Sequence, residues 1–477
     1  MADGAGLREQ LNELRSATRP LEPDQDERTK LGGAVLDHAL AFLDQVETAP
    51  SYRPASEAFD RRFAPEFSAE GRDISEVLDF VATTVDRPGI ATTSPRFLGY
   101  IPGGGLFHSA LGDLLADVSN KYAGFATAGP GAVRIENACV DFLRQAVGYP
   151  EGAAGTLTSG GSIANLTAIV AAREALDPDG GGAVYTTRYA HYCVDKALKI
   201  AGRGRSPHRK IATDSHTRMR PNALRAALQE DVANGIRPWL IVASAGTIDM
   251  GAVDPLREIA GIAREFGAWL HIDGAYGGLF ALCDEGRARL DGIELGDSIA
   301  LDPHKTMFLP YGTGAVLVRD GQLLADAFSH EADYIRPFGG ADVGPSPANL
   351  SPELTRHFRS MRLWLPLQLA GVDAFKAAQT EKLMLARYFH DRLREIDGID
   401  PGPEPELSVV AFRHRAGDEA SERLMTALQQ GGRVMLSGTR IEGDYYLRAA
   451  ILCFRTHVEH VDEAIAVIRD AVESLDG

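Results

Sequence analysis

A lysine near the middle of the chain has the surroundings of a covalent catalyst. Lys305 ends the polar stretch Asp302-Pro-His-Lys305, which lies between the apolar runs 299–301 and 315–318. Such runs are typical of buried strands, so we expect the polar stretch to be a turn that directs Lys305 into a cleft. A lysine partly shielded from water loses its proton more easily and can form a Schiff base with an aldehyde. The alternative is an ordinary surface lysine.

A glycine-rich turn further upstream has the composition of an anion site. Gly160, Gly161 and Ser162 directly precede 163–175, an apolar run with helix-forming composition. Backbone N–H groups at the start of a helix, together with a hydroxyl, can bind a phosphate. No lysine follows as in G-x-x-x-x-G-K-[ST], so a nucleotide P-loop is not predicted. The alternative is a tight strand-to-helix connection without a ligand.

Other candidate residues lie at the end of a strand or the start of a helix. Asp273 ends the strand-like run 270–273, where its carboxylate can pair with a protonated pyridine nitrogen or merely cap the next turn. Ala275 is small enough to lie flat against a ring. His191 precedes a helical pattern and can stack on a ring or donate to a carboxylate, unless it is an ordinary satisfied histidine. Together with Lys305 and the glycine turn, these residues predict pyridoxal 5'-phosphate as cofactor.

The elements that must position these residues alternate along the chain. Strands are predicted at 183–187, 239–244 and 269–273, with helices at 191–200 and 255–266. This alternation predicts an α/β fold with a mostly parallel central sheet covered on both faces. Ligands of such sheets bind at the carboxyl ends of the strands, where several candidate residues fall.

Three domains are expected along the chain. Residues 1–90 show helical patterns with little core of their own, so this segment should pack on another domain or subunit. Residues 91–374 should form the large domain that binds the cofactor. Residues 375–477 should form a small α+β domain, with strands at 407–413, 433–437 and 445–450.

Composition excludes several classes of function. The formal net charge of -17 and the pI of about 5.3 disfavour binding to nucleic acid or to an anionic membrane. No apolar run approaches the ~20 residues of a membrane span, and no signal-peptide pattern is found at the N-terminus. The four cysteines, Cys139, Cys193, Cys283 and Cys453, are too dispersed to predict disulfides or a metal site. A cytoplasmic enzyme is the expectation.

Six motifs carry a resemblance to a known family. They are Tyr100-Ile-Pro-Gly-Gly-Gly105, Thr158-Ser-Gly-Gly-Ser162, Tyr189-Ala-His191, His271-Ile-Asp273-Gly-Ala275-Tyr, Asp302-Pro-His-Lys305 and His357-Phe-Arg-Ser-Met-Arg-Leu-Trp364. From Pro95 to the C-terminus, the chain resembles the group II pyridoxal-phosphate decarboxylases, which include aromatic-L-amino-acid and glutamate decarboxylases. The resemblance implies the type I fold of pyridoxal enzymes and a homodimer with its site at the subunit interface.

The resemblance also implies a role for each candidate residue. Lys305 would hold the cofactor as a Schiff base, Asp273 would face the pyridine nitrogen, and His191 would stack on the ring. Ala275 would pack on the other ring face. The remaining cofactor contacts would be Gly160, Gly161 and Ser162 at the phosphate, Thr247 and Asp302 in the lining, and His304 beside the Schiff base. The implied reaction is α-decarboxylation of an amino acid through a quinonoid that must then be protonated.

One departure from the family pattern concerns the proton donor. Decarboxylases of the family usually supply a tyrosine from a mobile loop, just ahead of a Ser-Pro-Glu-Leu-like stretch. Here residues 336–352 contain no tyrosine, Leu350 takes that place, and Tyr334 lies upstream. Without a donor, a long-lived quinonoid can react with O₂, so an oxidative decarboxylase–deaminase (aldehyde synthase) or a carbon–carbon lyase stays open. A transaminase and a non-catalytic pyridoxal-phosphate- or nucleotide-binding protein fit the motifs less well.

The substrate side chain is suggested by an aromatic, glycine-rich stretch. Residues 97–107 offer apolar side chains for a pocket, among them Phe97, Tyr100, Ile101, Leu106 and Phe107. Tyr122 and Phe125 could contribute from across the interface. These residues favour an amino acid with an aromatic or large aliphatic side chain over glutamate.

Overall fold

The structure, a computed structural model, describes residues 4–55, 67–329 and 344–476, which belong to two compact units, Met1–Ala91 and Thr92–Gly477. The first unit contains α1 (Gly4–Ala17), α2 (Gln25–Gln45) and α3 (Ile74–Val81). It also contains an antiparallel ribbon of β1 (Tyr52–Arg53) and β2 (Gly89–Ile90). No helix within the described ranges is both long and apolar enough to cross a membrane.

The second unit contains the remaining elements. Its first helices are α4 (Phe107–Ser119), α5 (Pro130–Val147), α6 (Gly161–Leu176), α7 (Cys193–Ile200), α8 (Pro221–Ala233), α9 (Leu256–Phe266) and α10 (Asp284–Arg289). Its later helices are α11 (Pro303–Thr306), α12 (Gly321–Phe328), α13 (Ser360–Ala370), α14 (Val372–Leu393), α15 (Asp418–Gly431) and α16 (Val458–Asp476). Its strands are β3 (Ala154–Thr158), β4 (Ala183–Thr187), β5 (His208–Ile211), β6 (Pro238–Ser244), β7 (Trp269–Gly274), β8 (Ser298–Leu301), β9 (Gly314–Val318), β10 (Ile399–Asp400), β11 (Val409–His414), β12 (Ser437–Ile441) and β13 (Asp444–Ala450).

A seven-stranded sheet in the order β3-β9-β8-β7-β6-β4-β5 forms the centre of this unit. The strands from β8 to β5 are parallel, and β9 runs antiparallel to both of its neighbours. Along β6, Ile241 and Ala243 belong to one apolar cluster, whereas Leu240 and Val242 belong to another. Both faces are therefore buried, as a parallel sheet requires. The predicted α/β fold with a mostly parallel sheet is confirmed.

A second, antiparallel sheet has the order β10-β11-β13-β12 and packs with α14, α15 and α16 around its own apolar cluster. Strands predicted at 407–413 and 445–450 lie close to β11 and β13. The strand predicted at 433–437 is wrong, because β12 begins only at Ser437. The apolar residues Val434 and Leu436 are buried in irregular backbone just before it.

A buried ion pair holds the edge strand β3 in place. The carboxylate of Glu136 on α5 lies 2.9 Å from the Arg356 guanidinium, and both side chains are almost completely buried. Glu136 also accepts from the backbone N–H of Leu157 at 3.1 Å, and Arg356 donates to the Thr156 hydroxyl at 2.9 Å. Burial lowers the pKa of Arg356, with Glu136 opposing that effect. The pair anchors the strand that leads into the glycine turn at Gly160.

Glu136→Leu is expected to lower the free energy of unfolding by about 3–5 kcal/mol, because it leaves the Arg356 guanidinium buried without a carboxylate. Urea unfolding followed by circular dichroism measures the change. The double variant Glu136→Leu/Arg356→Met should recover most of the loss, because no unpaired charge remains. Equal stability of wild type and Glu136→Leu would contradict a structural role for the pair.

Candidate active site

A cavity of about 450 Å³ opens at the carboxyl ends of the central strands. All ten residues predicted from the sequence line it: Gly160, Gly161, Ser162, His191, Thr247, Asp273, Ala275, Asp302, His304 and Lys305. The sheet topology explains this gathering, because the carboxyl ends of parallel strands meet at one edge. Asp273 lies near the end of β7 and Asp302 directly follows β8, so neighbouring strands deliver neighbouring carboxylates.

Lys305 forms an ion pair with Asp302 inside the cavity. Residues 303–306 form the short helix α11 rather than the turn predicted from the sequence, and one helical turn separates Asp302 from Lys305. Lys305 Nζ therefore lies 2.8 Å from Asp302 Oδ2. Burial lowers the pKa of Lys305, but attraction to Asp302, their hydrogen bond and the charge of Asp273 outweigh it and raise the pKa above its ordinary value. The expectation of a lysine that loses its proton easily is wrong for this arrangement, because it omitted Asp302.

Two histidines of the cavity have defined ring orientations. His191 Nδ1 accepts from the Cys193 N–H at 3.3 Å, so in the neutral ring the proton lies on Nε2. His304 Nδ1 donates to the Thr313 carbonyl at 2.7 Å, so its neutral ring is protonated on Nδ1. Burial lowers the pKa of His191, and burial likewise lowers the pKa of His304, with nearby aspartates opposing in each case. Both rings are therefore neutral near pH 7.

The glycine turn is shaped for a ligand that approaches the backbone closely. Gly160 is the last residue of the connection from β3, and α6 begins at Gly161. The first N–H groups of a helix have no carbonyl partner one turn earlier within the helix. A Cβ at Gly161 would lie 2.8 Å from Asp302 Oδ2 and 3.0 Å from the Ala275 methyl. Any larger side chain there would fill the space between the turn and β7. Ser162 adds an exposed hydroxyl at the same place.

A chain of buried hydrogen bonds connects the start of α6 with β7 and β8. Asn165 donates to the Gly161 carbonyl at 2.8 Å, so its amide oxygen accepts from His271 Nε2 at 2.7 Å. His271 Nδ1 then accepts from the Ser298 hydroxyl at 2.8 Å, whose oxygen also accepts from Trp269 Nε1 at 2.8 Å. When His271 is neutral, each hydrogen bond in this series has a defined donor and acceptor. Burial lowers the pKa of His271 to about 4.

Acidification should therefore weaken the fold through His271. In the unfolded chain a histidine takes up its proton near pH 6.5, whereas folded His271 resists protonation until about pH 4. The unfolded state thus binds more protons between these values, and the free energy of unfolding falls by about 3 kcal/mol as the pH is lowered across them. Urea unfolding of wild type and His271→Gln at several pH values should show this extra slope only in the wild type. Parallel curves would contradict it.

The side chains of the cavity fit pyridoxal phosphate. The space that a Cβ would fill at Gly161 lies beside the first N–H groups of α6 and the Ser162 hydroxyl, which suits a phosphate. Asp302 Oδ1 is buried without a hydrogen-bond partner among the described residues, next to a lysine that can bind an aldehyde. Asp273 supplies a carboxylate for a pyridinium nitrogen, and its Oδ1 accepts from the Ala275 N–H at 3.2 Å.

The structure separates the residues proposed for the substrate pocket. Tyr100 and Ile101 line the cavity, whereas Phe97 is 1% exposed in the interior and neither Leu106 nor Phe107 is part of the lining. Leu350 is buried in an apolar cluster of the large sheet. Tyr334 lies outside the described residues.

Several lining residues were missed in the sequence. They include Asn165, Cys193, Ser244 and Tyr311. Ser244 could have been found, because it ends the predicted strand 239–244. Asn165 could have been found as well, because it lies one helical turn after Gly161 on the same face. Tyr311 follows α11 in irregular backbone and carried no such signal.

The chain is similar in sequence to a known protein family and to individual members of it. The family model for the "Pyridoxal-dependent decarboxylase conserved domain" matches residues 58–415. An aromatic-L-amino-acid decarboxylase of Bacillus atrophaeus is 31% identical over 95% of this chain and 97% of its own length. A phenylacetaldehyde synthase of Arabidopsis thaliana is 26% identical over 95% of this chain and 97% of its own.

A solved structure agrees over nearly the whole chain. The structure of Oryza sativa TDC with pyridoxal phosphate and tryptamine has a TM-score of 0.90 at 25% sequence identity. The structural match covers 96% of this chain and 99% of the Oryza sativa chain. The similarity therefore extends over nearly the whole length of this chain.

Proposed function

The chain belongs to the family of pyridoxal-dependent decarboxylases, and from that premise we propose that it decarboxylates an amino acid with an aromatic side chain. It is a pyridoxal-phosphate-dependent amino acid decarboxylase. The observation that carries the proposal is a single cavity in which Lys305, Asp273 and His191 lie beside the glycine turn, with Tyr100 and Ile248 in the wall.

Each of the ten cavity residues predicted from the sequence has a task in the proposed reaction. When bound, pyridoxal phosphate supplies an electron-accepting pyridinium ring for the electron pair left on Cα as carbon dioxide departs. Lys305 would hold the cofactor through its Nζ. Asp273 would keep the pyridine nitrogen protonated, and His191 would stack on the ring. Contacts to the rest of the cofactor are assigned to Gly160, Gly161, Ser162, Thr247, Ala275, Asp302 and His304.

Lys305 is our candidate for the group that protonates Cα. His304 is neutral near pH 7 and its one ring proton is engaged with Thr313, so it has no proton to give. The Lys305 ammonium keeps its proton because Asp302 lies 2.8 Å away. Transfer of that proton to Cα leaves Nζ as the neutral amine, which alone can act as a nucleophile.

Asp302→Asn tests this assignment. In this variant the attraction of the Asp302 carboxylate no longer opposes the effect of burial, so the pKa of Lys305 should fall. Rebinding of pyridoxal phosphate by cofactor-free protein should therefore reach its half-maximal rate at lower pH. Because a smaller fraction of Lys305 would then carry the proton, more substrate should also be converted to aldehyde and hydrogen peroxide. Tyr334→Phe is the matched comparison and should do neither. Peroxide formation by Tyr334→Phe but not by Asp302→Asn would contradict the assignment.

The proposed substrate class rests on the cavity wall. Tyr100, Tyr189 and Ile248 provide apolar surface in the cavity wall. Aromatic side chains pack well against such rings. The relative from Bacillus atrophaeus has the name of an aromatic-L-amino-acid decarboxylase, which supports the same class.

A substrate panel is the direct test. Purified enzyme is mixed with tyrosine, phenylalanine, tryptophan, leucine and glutamate, and carbon dioxide, amine, ammonia and hydrogen peroxide are quantified. Carbon dioxide and amine from an aromatic substrate in equal amounts, without peroxide, are expected. Peroxide with ammonia would instead assign the chain to the aldehyde-forming class, of which one relative is a member by name. Activity on glutamate alone would overturn the aromatic class.

A homodimer with the site at its interface is part of the proposal. Leu7, Leu11 and Leu14 are more than half exposed and share one face of α1, and Leu114 and Val118 are exposed on α4. Residues 1–90 would pack on the partner subunit. Light scattering after size-exclusion chromatography is expected to give twice the chain mass of 51.3 kDa. All four cysteines are free and buried, which supports a cytoplasmic location.

A further inference from the structure

The strand β12 of the small sheet lies against residues of the cavity wall. Successive residues of a strand point to opposite faces, so Ser437, Thr439 and Ile441 share one face. Ser437 accepts from the Tyr100 N–H at 3.2 Å, and the Thr439 hydroxyl donates to Asp249, the neighbour of Ile248 in the wall. Ile441 belongs to an apolar cluster with Tyr189. One face of β12 therefore contacts three wall segments.

The backbone of Tyr100 has an unusual conformation that these contacts maintain. Its φ is 50°, in the left-handed region that residues with a side chain rarely adopt. The N–H donates to Ser437, and the carbonyl accepts from Arg448 on β13 at 2.9 Å. Arg448 also donates to the Ser437 hydroxyl at 2.7 Å, which closes a three-membered network. The network places the Tyr100 ring at the mouth of the cavity.

Arg448 is only 3% exposed, and no carboxylate of the described residues forms an ion pair with it. Its Nε is buried without a hydrogen-bond partner among those residues, and burial lowers its pKa to about 10, with Asp249 opposing. Burying a guanidinium costs free energy unless its hydrogen bonds compensate for the water that it loses. Its hydrogen bonds to described residues go to Tyr100 and Ser437, which indicates that holding this segment is its task.

The far end of the same hairpin holds a second wall residue. The Tyr189 hydroxyl donates to the Glu442 carboxylate at 2.8 Å and accepts from the Glu442 N–H at 3.3 Å. Glu442 lies between β12 and β13, where its own φ is 51°. Tyr100 and Tyr189, two of the four tyrosines that line the cavity, are therefore held by one hairpin that contributes no side chain to the lining.

We propose that the β12–β13 hairpin determines substrate selectivity by holding Tyr100 and Tyr189 against the substrate side chain, with Arg448 and Ser437 as positioning residues. The proposal rests on the proposed decarboxylation of an aromatic amino acid and adds the element that selects the side chain. The residues assigned to the cofactor all line the cavity, whereas the hairpin contributes no side chain to that lining. Loss of the network should therefore weaken substrate binding more than turnover.

Ser437→Ala of the full-length holoenzyme is the first test, with Arg440→Ala as matched control. Arg440 lies on the opposite face of β12 and pairs with the exposed Asp418 and Glu422. Ser437→Ala should raise KM for the best aromatic substrate about fivefold, the worth of one hydrogen bond, and leave kcat within about twofold. Hydrogen exchange in a peptide covering residues 97–101 should accelerate. Arg440→Ala should change neither.

Tyr100→Gly provides the second arm, because glycine tolerates the left-handed backbone without strain. KM should rise for aromatic substrates and much less for leucine, and adding Ser437→Ala should have no further effect. If Ser437→Ala matches Arg440→Ala in KM and exchange, or lowers kcat and cofactor absorbance together, the hairpin proposal is overturned. If the wild type accepts no aromatic amino acid, the proposed substrate class fails separately, and the same comparison on the accepted substrate still decides the hairpin's role.

Discussion

Lys305→Ala is expected to reduce decarboxylation by at least about a thousandfold and to remove the visible absorbance of the bound cofactor. The physical reason is that no other amine among the described lining residues can bind the aldehyde covalently. Borohydride reduction of the wild type, followed by peptide mass spectrometry, should find the cofactor mass on the peptide that contains Lys305.

Lys305→Arg separates covalent attachment from charge. Arginine keeps a positive charge beside Asp302, so the ion pair seen at 2.8 Å can persist, but a guanidinium does not form the covalent link. Both variants should therefore lose cofactor absorbance, whereas Lys305→Arg alone should keep the wild-type unfolding temperature. Substantial activity in Lys305→Arg would show that Lys305 serves only as a partner of Asp302.

Asp273→Asn is expected to lower kcat by roughly a hundredfold to a thousandfold, the effect of removing one charge-stabilising group from an enclosed site. Asparagine can still accept the Ala275 N–H, which lies 3.2 Å from Asp273 Oδ1, so the turn after β7 should keep its shape. Only the negative charge next to the pyridine nitrogen is lost. Steady-state kinetics and the unfolding temperature should be measured together.

The alternative role for Asp273 is a turn cap without contact to the cofactor. In that case Asp273→Asn would leave kcat unchanged, because the cap survives the substitution. Asp302→Asn is the useful comparison, because it removes the other carboxylate of the cavity. That variant should shift a pH profile, whereas Asp273→Asn should lower kcat at every pH.

The central sheet could be predicted because a strand that is buried on both faces appears in the sequence as a continuous apolar run. The strands 239–244 and 269–273 are short apolar runs bounded by polar turns, and the structure has them as β6 and β7. Strand β12 could not be found in this way. It reads Ser-Gly-Thr-Arg-Ile, a partly exposed strand with a glycine, whereas the apolar residues before it are buried by contacts with distant segments.

The residues that line the site could be predicted more completely than the pKa values of their side chains. Most candidate residues fell at or close to strand ends or the start of a helix, where topology brings them together. The pKa of Lys305 depends on whether residues 302–305 form a turn or a helical turn, a difference of a few ångströms in the position of one carboxylate. The task of Arg448 was equally hidden, because its partners are distant in sequence.

Two segments of the chain pair with partners that come much later in the sequence. Strand β3, which leads into the glycine turn, pairs with β9, and the backbone around Leu98 pairs with Met435 and Ala450. Contacts between residues so far apart in sequence slow folding, because long loops must close first. As the ribosome releases the chain from its N-terminus, neither side of the cavity can form until β9 and then the β12–β13 hairpin have emerged. Capacity to bind cofactor and substrate should therefore arise late in synthesis, and chaperones would meet this region while it is still open.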